Sequence, residues 1–138
     1  REKGFKINSF AYPYGAGNQL LDRELLKHFG SVRYTAYTSP NQRIKDVNEV
    51  YINKKSDPRI TYAIGIDKRY GHSLEEIFEG IDRALNNNEI LLLYAHSISD
   101  NPDGYVTSME TLEEIVKYAV KKQMKFYTVS ELTEITEP

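Results

Sequence analysis

An α/β chain built on a mainly parallel sheet is the fold class this sequence predicts, and three observations carry it. Strand-like and helix-like segments follow one another in the order strand, helix, strand, loop, strand, helix, strand, helix, strand, the alternation that right-handed crossovers between parallel strands produce. The apolar run Ile90 to Leu93 is unbroken, as expected of a strand covered on both faces and not of one that alternates toward water. Two of the predicted strands also end on ionisable residues, Asp67 and His96, and in parallel folds the carboxyl ends of strands are where chemistry is placed.

Taken in order, Phe5 to Tyr12 reads as a strand that meets the turn "PYGAG". A helix follows, with Asn18 as its cap, Leu21, Leu25 and Phe29 on one face, and Gly30 at its end. Val32 to Thr38 is rich in β-formers and reads as the second strand. Residues 39–59 carry two prolines, mixed charge and short apolar islands, which predicts a long irregular connection with one helical turn. Ile60 to Ile66 is a third strand, closed by Asp67 and the loop "KRYGH". Ser73 and Glu76 form a capping box ahead of a helix whose apolar stripe is Leu74, Ile77, Phe78, Ile81 and Leu85. After the strand 89–95, Thr107 and Glu110 predict a second capping box, with Met109, Leu112, Ile115, Val116, Ala119 and Val120 as the stripe and Glu113 with Lys117 paired on the wet side. Lys125 to Val129 reads as the last strand.

Composition bounds the function. The 138 residues suffice for one domain with a genuine core. At 40% apolar and 28% charged with a net charge of -2, the chain has a globular composition. Its basic pairs, Lys54-Lys55 and Lys121-Lys122, lack interleaved aromatic residues, so no nucleic-acid partner is expected. Without cysteine there is neither a disulfide framework nor a thiolate metal site. No apolar run approaches the roughly 20 residues of a membrane span, and "REKGFKINSF" lacks the apolar centre of a signal peptide.

Among candidate sites, "YGAGNQL" partly mimics a dinucleotide-binding turn, but the third glycine position falls on Leu20 and no acidic residue closes a second strand near residues 35–38. What distinguishes the turn is the backbone N–H of Tyr14 at a strand end, placed to donate to an oxyanion. His96 is either a histidine bonded to a loop carbonyl or a general acid or base, the second provided that a carboxylate orients its other nitrogen. Asp67 is the natural carboxylate, its alternative being an Asx turn or helix-approach cap. His28 reads as a surface residue, and His72 is expected near the rim that Asp67 occupies. No two histidines have metal-site spacing, and there is no Gly-x-Ser-x-Gly elbow.

These residues in this order resemble the polysaccharide deacetylase family, the NodB-homology domain of carbohydrate esterase family 4. "FAYPYGAGNQLLDRELLKHFGSVRYT" looks like that family's third motif with its following helix and strand, and "EILLLYAHSISDNPDGYVTSMETLEEIVKYAVKKQMKFYTVSEL" looks like the fifth motif through to the end of the domain. The match covers most of the chain except residues 39–59. It implies a portion of a distorted, incomplete (β/α) barrel, with residues 1–138 forming the carboxyl-terminal portion of a single such domain. It also implies that His96 is the general acid, that Asp67 orients it, that the Pro13-Tyr14 turn holds substrate and oxyanion, and that Tyr94 lines the acetyl pocket.

The same resemblance implies a divalent metal, zinc, an acetylated polysaccharide or oligosaccharide as partner, and a cell-envelope or extracellular setting. The family's Thr-Phe-Asp-Asp motif and His-x-x-x-His pair do not occur in this sequence, so the metal ligands are expected outside the chain and the chain alone is expected to be inactive. The motif-three arginine falls on Ala11 and the motif-five leucine on Tyr94. Those departures point to an alternative, a non-catalytic carbohydrate-binding or interaction module on the same scaffold. An incomplete barrel would leave open edges, and self-association is expected from that.

Overall fold

A computed structural model describes residues 4, 7–101 and 104–135. Its centre is a curled four-stranded sheet in the order β1-β2-β4-β6, all parallel. The strands are β1 (Ser9–Ala11), β2 (Ser31–Ala36), β4 (Ile60–Gly65) and β6 (Leu93–Tyr94), with a short β3 (Tyr51–Ile52) between β2 and β4 in the chain. The register pairs Ala11 with Arg33, Arg33 with Thr61, Thr35 with Ala63 and Gly65 with Tyr94, so these residues share one face of the sheet.

The other face carries Ala36, Tyr62, Ile64, Ile66 and Leu93, packed under α2 (Leu74–Asn87) and α3 (Met109–Lys121) through Ile77, Ile81, Ala84, Ile115 and Ala119. α2 starts as its sequence predicts, with the Ser73–Glu76 capping box formed in both directions. α3 starts one residue later than predicted. Ser108, not Thr107, caps it by accepting from the Thr111 backbone N–H, while Thr107 ends β8 (Val106–Thr107), which pairs with β7 (Ser97–Ile98), and turns its hydroxyl to Asp67. The Glu113–Lys117 pair forms at 3.1 Å. Of the two predicted stripes, Leu85, Met109, Val116 and Val120 stay exposed, because only the inward third of each helix meets the sheet.

α1 (Gln19–Leu25) is capped by the Asn18 side chain but stops a turn short of Phe29, which packs on Phe10 at 5.4 Å. Its buried residue is Asp22, whereas Leu21 is exposed; the polar residue goes inside because two tyrosine hydroxyls meet it there.

The segment 39–59 is the largest departure from expectation. It folds as two 3-10 turns, Ile44–Asp46 and Asn48–Val50, followed by β3. Ile44, Val47 and Val50 are buried at a spacing of three, the repeat of a 3-10 helix, and enter the main core with Tyr51. Arg83 fixes this segment, with its guanidinium 3.8 Å from the Tyr51 ring centre and donating to the Lys45 carbonyl.

The strand predicted over 89–95 is divided at Leu92. β5 (Ile90–Leu91) pairs antiparallel with β3, and β6 pairs parallel with β4. Leu92 donates to the Val50 carbonyl at 3.0 Å on one side and accepts from the Ile64 N–H at 3.1 Å on the other. The predicted last strand, Lys125 to Val129, does not form. Thr128 instead opens a 3-10 turn, Val129–Glu131, closed by the Glu131 carboxylate on the Thr128 N–H and hydroxyl. That turn places Val129 and Leu132 against Ile52, Ala63 and Leu92, and the Ser130 hydroxyl 2.9 Å from that of Ser9. Phe5 and Lys6, the start of the first predicted strand, lie outside the described residues. Among the described residues no helix is long and apolar enough to cross a membrane.

Candidate functional site

The carboxyl ends of β4 and β6 meet at Asp67 and His96. The chain leaves β4 through Ile66, whose N–H donates to the Tyr94 carbonyl at 2.9 Å, so the two strands stay in register to their tips. Asp67 follows and is fully buried. It occupies the cap position of the 3-10 turn Lys68–Tyr70, yet its side chain does not cap that turn. Its Oδ1 accepts from the His96 backbone N–H at 3.1 Å and from the Thr107 hydroxyl at 3.2 Å, and its Oδ2 lies 2.7 Å from His96 Nδ1. The Asx-turn alternative for Asp67 is therefore set aside, and so is a loop carbonyl as the ring's partner.

A carboxylate acceptor at Nδ1 places the imidazole proton there and leaves Nε2 as the nitrogen that faces outward. The His96 side chain is half exposed, at 50%, while that of Asp67 is at 0%. A buried carboxylate thus fixes a ring whose working edge meets solvent, the arrangement that general acid–base chemistry requires.

Tyrosines surround the ring. Tyr94 lies 5.5 Å and Tyr105 4.9 Å from the His96 ring centre. Tyr70 folds back from the 3-10 turn over Gly65, where any Cβ would run into its ring, and its hydroxyl is 2.6 Å from that of Tyr94. Burial, and next the Tyr94 hydroxyl, push the Tyr70 phenol well above its ordinary value. Tyr37, 60% exposed, stands 6.4 Å from Tyr70. Two guanidinium groups join the cluster, Arg33 at 4.6 Å from the Tyr94 ring centre and Arg69 at 5.2 Å from that of Tyr105.

Of the residues singled out from sequence, the structure brings His96, Asp67 and Tyr94 together. Pro13 and Tyr14 lie elsewhere. Their 3-10 turn ends β1, at the opposite edge of the sheet, with β2 and β4 between it and β6. Tyr14 holds a left-handed φ of 57° and is 96% exposed, and Gly15 seats the turn against the Thr35 side chain, leaving no room for a Cβ. His72 is half buried, its pKa lowered by that burial, along a cavity of about 430 Å³ that Thr107 and Ser108 also line. His28 is exposed, as predicted.

Sequence reasoning passed over Arg33, Tyr70, Tyr105 and Thr107. For Arg33 a signal existed. Alternation along "VRYTA" puts it on the face opposite Val32 and Tyr34, the face shared with Ala63 and Tyr94.

On the helix side of the sheet lies a second polar cluster. Tyr12 and Tyr34 both donate to Asp22 Oδ1 at 2.7 Å, and Tyr34 stacks on Tyr62 at 5.0 Å. Burial, then the hydrogen bond to Asp22, push the Tyr12 phenol up to about 12.

Comparison of the chain with protein-family models, with curated proteins and with solved structures finds no match in any of the three.

Proposed function

We propose that this chain serves the hydrolytic removal of acetyl groups from N- or O-acetylated glycans, as part of a polysaccharide deacetylase built on an incomplete (β/α) barrel. One observation carries the reading: a half-exposed imidazole at a strand's carboxyl end, held through Nδ1 by a fully buried carboxylate at 2.7 Å. The motif resemblance and the curled parallel sheet support it.

In this reading, water adds to the acetyl carbonyl carbon as it gives up a proton to the carboxylate base that the resemblance implies beyond these residues, the bond from that carbon to the sugar nitrogen or oxygen breaks, and His96 in its protonated form delivers a proton to the departing atom from its outward nitrogen. Asp67 keeps the ring oriented and stabilises its charged form. Tyr94 and Tyr105 wall the ring; the oxyanion role of the Tyr14 N–H stands on the resemblance alone, since its turn ends β1 at the opposite edge of the sheet. The resemblance implies a divalent metal, zinc. Among the described residues no three histidine or carboxylate side chains converge, and His96 Nδ1 is engaged by Asp67. These residues do not make a metal centre, so their roles are proton transfer and positioning.

Self-association belongs to the same proposal, because β1 is paired only through β2 among the described residues and presents an outer edge. A constant elution volume across a hundredfold concentration range would count against it.

A second reading is a non-catalytic carbohydrate-binding module. The exposed rings of Tyr14, Tyr37 and Tyr105 favour it, since aromatic faces stack on sugars without any chemistry. Acetate release from N-acetylated chitooligosaccharide separates the two, measured with zinc present on the chain within its complete reading frame. The deacetylase reading expects release that falls by about a hundredfold or more in His96→Ala. Full activity in that variant removes His96 from the chemistry, and glycan binding without release selects the module.

A further inference from the structure

Several cations among the described residues are held in ion pairs. Arg43 and Lys45 meet Glu79, Arg59 meets Asp57, Arg83 meets Glu89, Lys117 meets Glu113, and Lys122 meets Asp82. Arg33 differs. It leaves β2 on the His96 face of the sheet, in register with Ala11 on one side and Thr61 on the other. Its guanidinium is partly buried against the Tyr94 ring, and its Nη1 donates a long hydrogen bond, 3.4 Å, to the Tyr34 carbonyl. No carboxylate of the described residues lies within ion-pair distance of it.

A guanidinium removed from water without an anion is costly, and a fold that keeps one there leaves N–H donors unanswered. Burial lowers the Arg33 pKa below its ordinary value, while Tyr94 and Tyr70 act in the opposite sense. Stacking covers one face of the planar group, and its donors radiate from the edge. A carboxylate is the anion whose two oxygens match that fork. The surrounding groups narrow the ligand further. Tyr94, Tyr70, Tyr37 and Tyr105 supply ring faces and hydroxyls suited to a pyranose, with C–H faces on one side and hydroxyls at the rim.

We propose that Arg33, clamped on Tyr94, is a specificity-determining residue that binds the carboxylate of an acidic sugar, so that the glycan presented to His96 contains uronic acid units. The proposal rests on the carbohydrate-directed reading above and goes beyond it in naming the class of glycan. The carboxylate sits against Arg33 and its pyranose against the tyrosines, which brings the neighbouring unit toward the rim where His96 stands.

The test uses trigalacturonate, its fully methyl-esterified trimer, neutral N-acetylated chitotriose, and acetate, each titrated into the protein while the amide signals of Tyr94 and His96 are followed. The expected result is acid binding about tenfold tighter than ester binding, weakening as salt rises, with the ester insensitive to salt. Arg33→Met should erase the difference between acid and ester while the His96 Nδ1–H signal persists. Should that variant fail to fold, the acid–ester gap and its salt dependence in the unaltered protein decide the matter. Equal affinity for acid and ester overturns the proposal, as does an acid preference that survives Arg33→Met. Acetate alone, giving the same shifts at the same concentration, overturns it too, by showing a site for any small carboxylate. Binding of chitotriose without any acid preference overturns this inference and leaves the deacetylase reading standing; no response to any of the three glycans removes both.

Discussion

Asp67 grips His96 at two points, the ring through Nδ1 and the main chain through its N–H. The first contact sets which nitrogen carries the proton. The second fixes where the ring's own backbone lies, so a single carboxylate determines both the tautomer and the position of the imidazole. Thr107 completes the arrangement by donating to the same carboxylate from β8.

The tautomer is directly observable. Two-bond nitrogen correlation spectra should show the neutral His96 ring protonated at Nδ1, and Asp67→Ala should convert it to a mixture dominated by Nε2–H. A ring already protonated at Nε2 in the unaltered protein would contradict the geometry. The same variant leaves the Thr107 hydroxyl without its acceptor and should cost about 1–3 kcal/mol in denaturant unfolding.

Gly65 lies under the Tyr70 ring, where a Cβ has no space. Gly65→Ala should therefore displace Tyr70, break its contact with the Tyr94 hydroxyl, and lower stability by about 1–3 kcal/mol. Tyr70→Ala in the same chain should recover part of that loss. A double-mutant cycle in urea measures the coupling, and strict additivity would show that the ring does not rest on the glycine.

Alkaline pH should weaken the fold through Tyr12. Its phenol is pushed up to about 12 by burial and by the Asp22 carboxylate, whereas in the unfolded chain it titrates near the ordinary value of 10.0. The folded state therefore holds this proton more tightly. Its contribution to stability is complete below about pH 10 and is lost as pH rises toward 12. Tyr51, also pushed up to about 12, chiefly by burial, acts in the same sense. Unfolding midpoints between pH 8 and 11.5 should fall for the unaltered protein and fall less steeply for Tyr12→Phe.

Ile44→Ala tests whether the segment 39–59 belongs to the core. Ile44 is fully buried between α2 and the sheet, so its truncation should cost about 2–5 kcal/mol. Lys55→Ala, on the exposed turn of the same segment, should stay within about 0.5 kcal/mol. Equal and small effects would mean that the segment is packed only loosely.

What the sequence made legible was local. The Ser73–Glu76 box, the Asn18 cap and the strand 60–65 are each written within a few consecutive residues, and each forms. Asp67 and His96 were placed correctly at neighbouring strand tips because β4 and β6 are parallel and adjacent. The core role of 44, 47 and 50 was hidden, since a repeat of three interrupted by charged residues resembles neither a helix nor a strand. Lys125 to Val129 has the composition of a strand but gains no ladder; Val129 packs with Ala63 and Leu92, while Phe126 and Tyr127 stay exposed. The stacking of Arg33 on Tyr94 joins residues from β2 and β6 that no local pattern connects.

The backbone bonds on both flanks of Leu92 have a mechanical consequence for the residues beyond it. The support beneath the imidazole is bolted on two sides only four residues upstream, and the short ladder joining Ser97–Ile98 to Val106–Thr107 closes the neck of the loop just downstream. His96 therefore acts as a stationary post, and a guest has to be shaped to the ring where it stands.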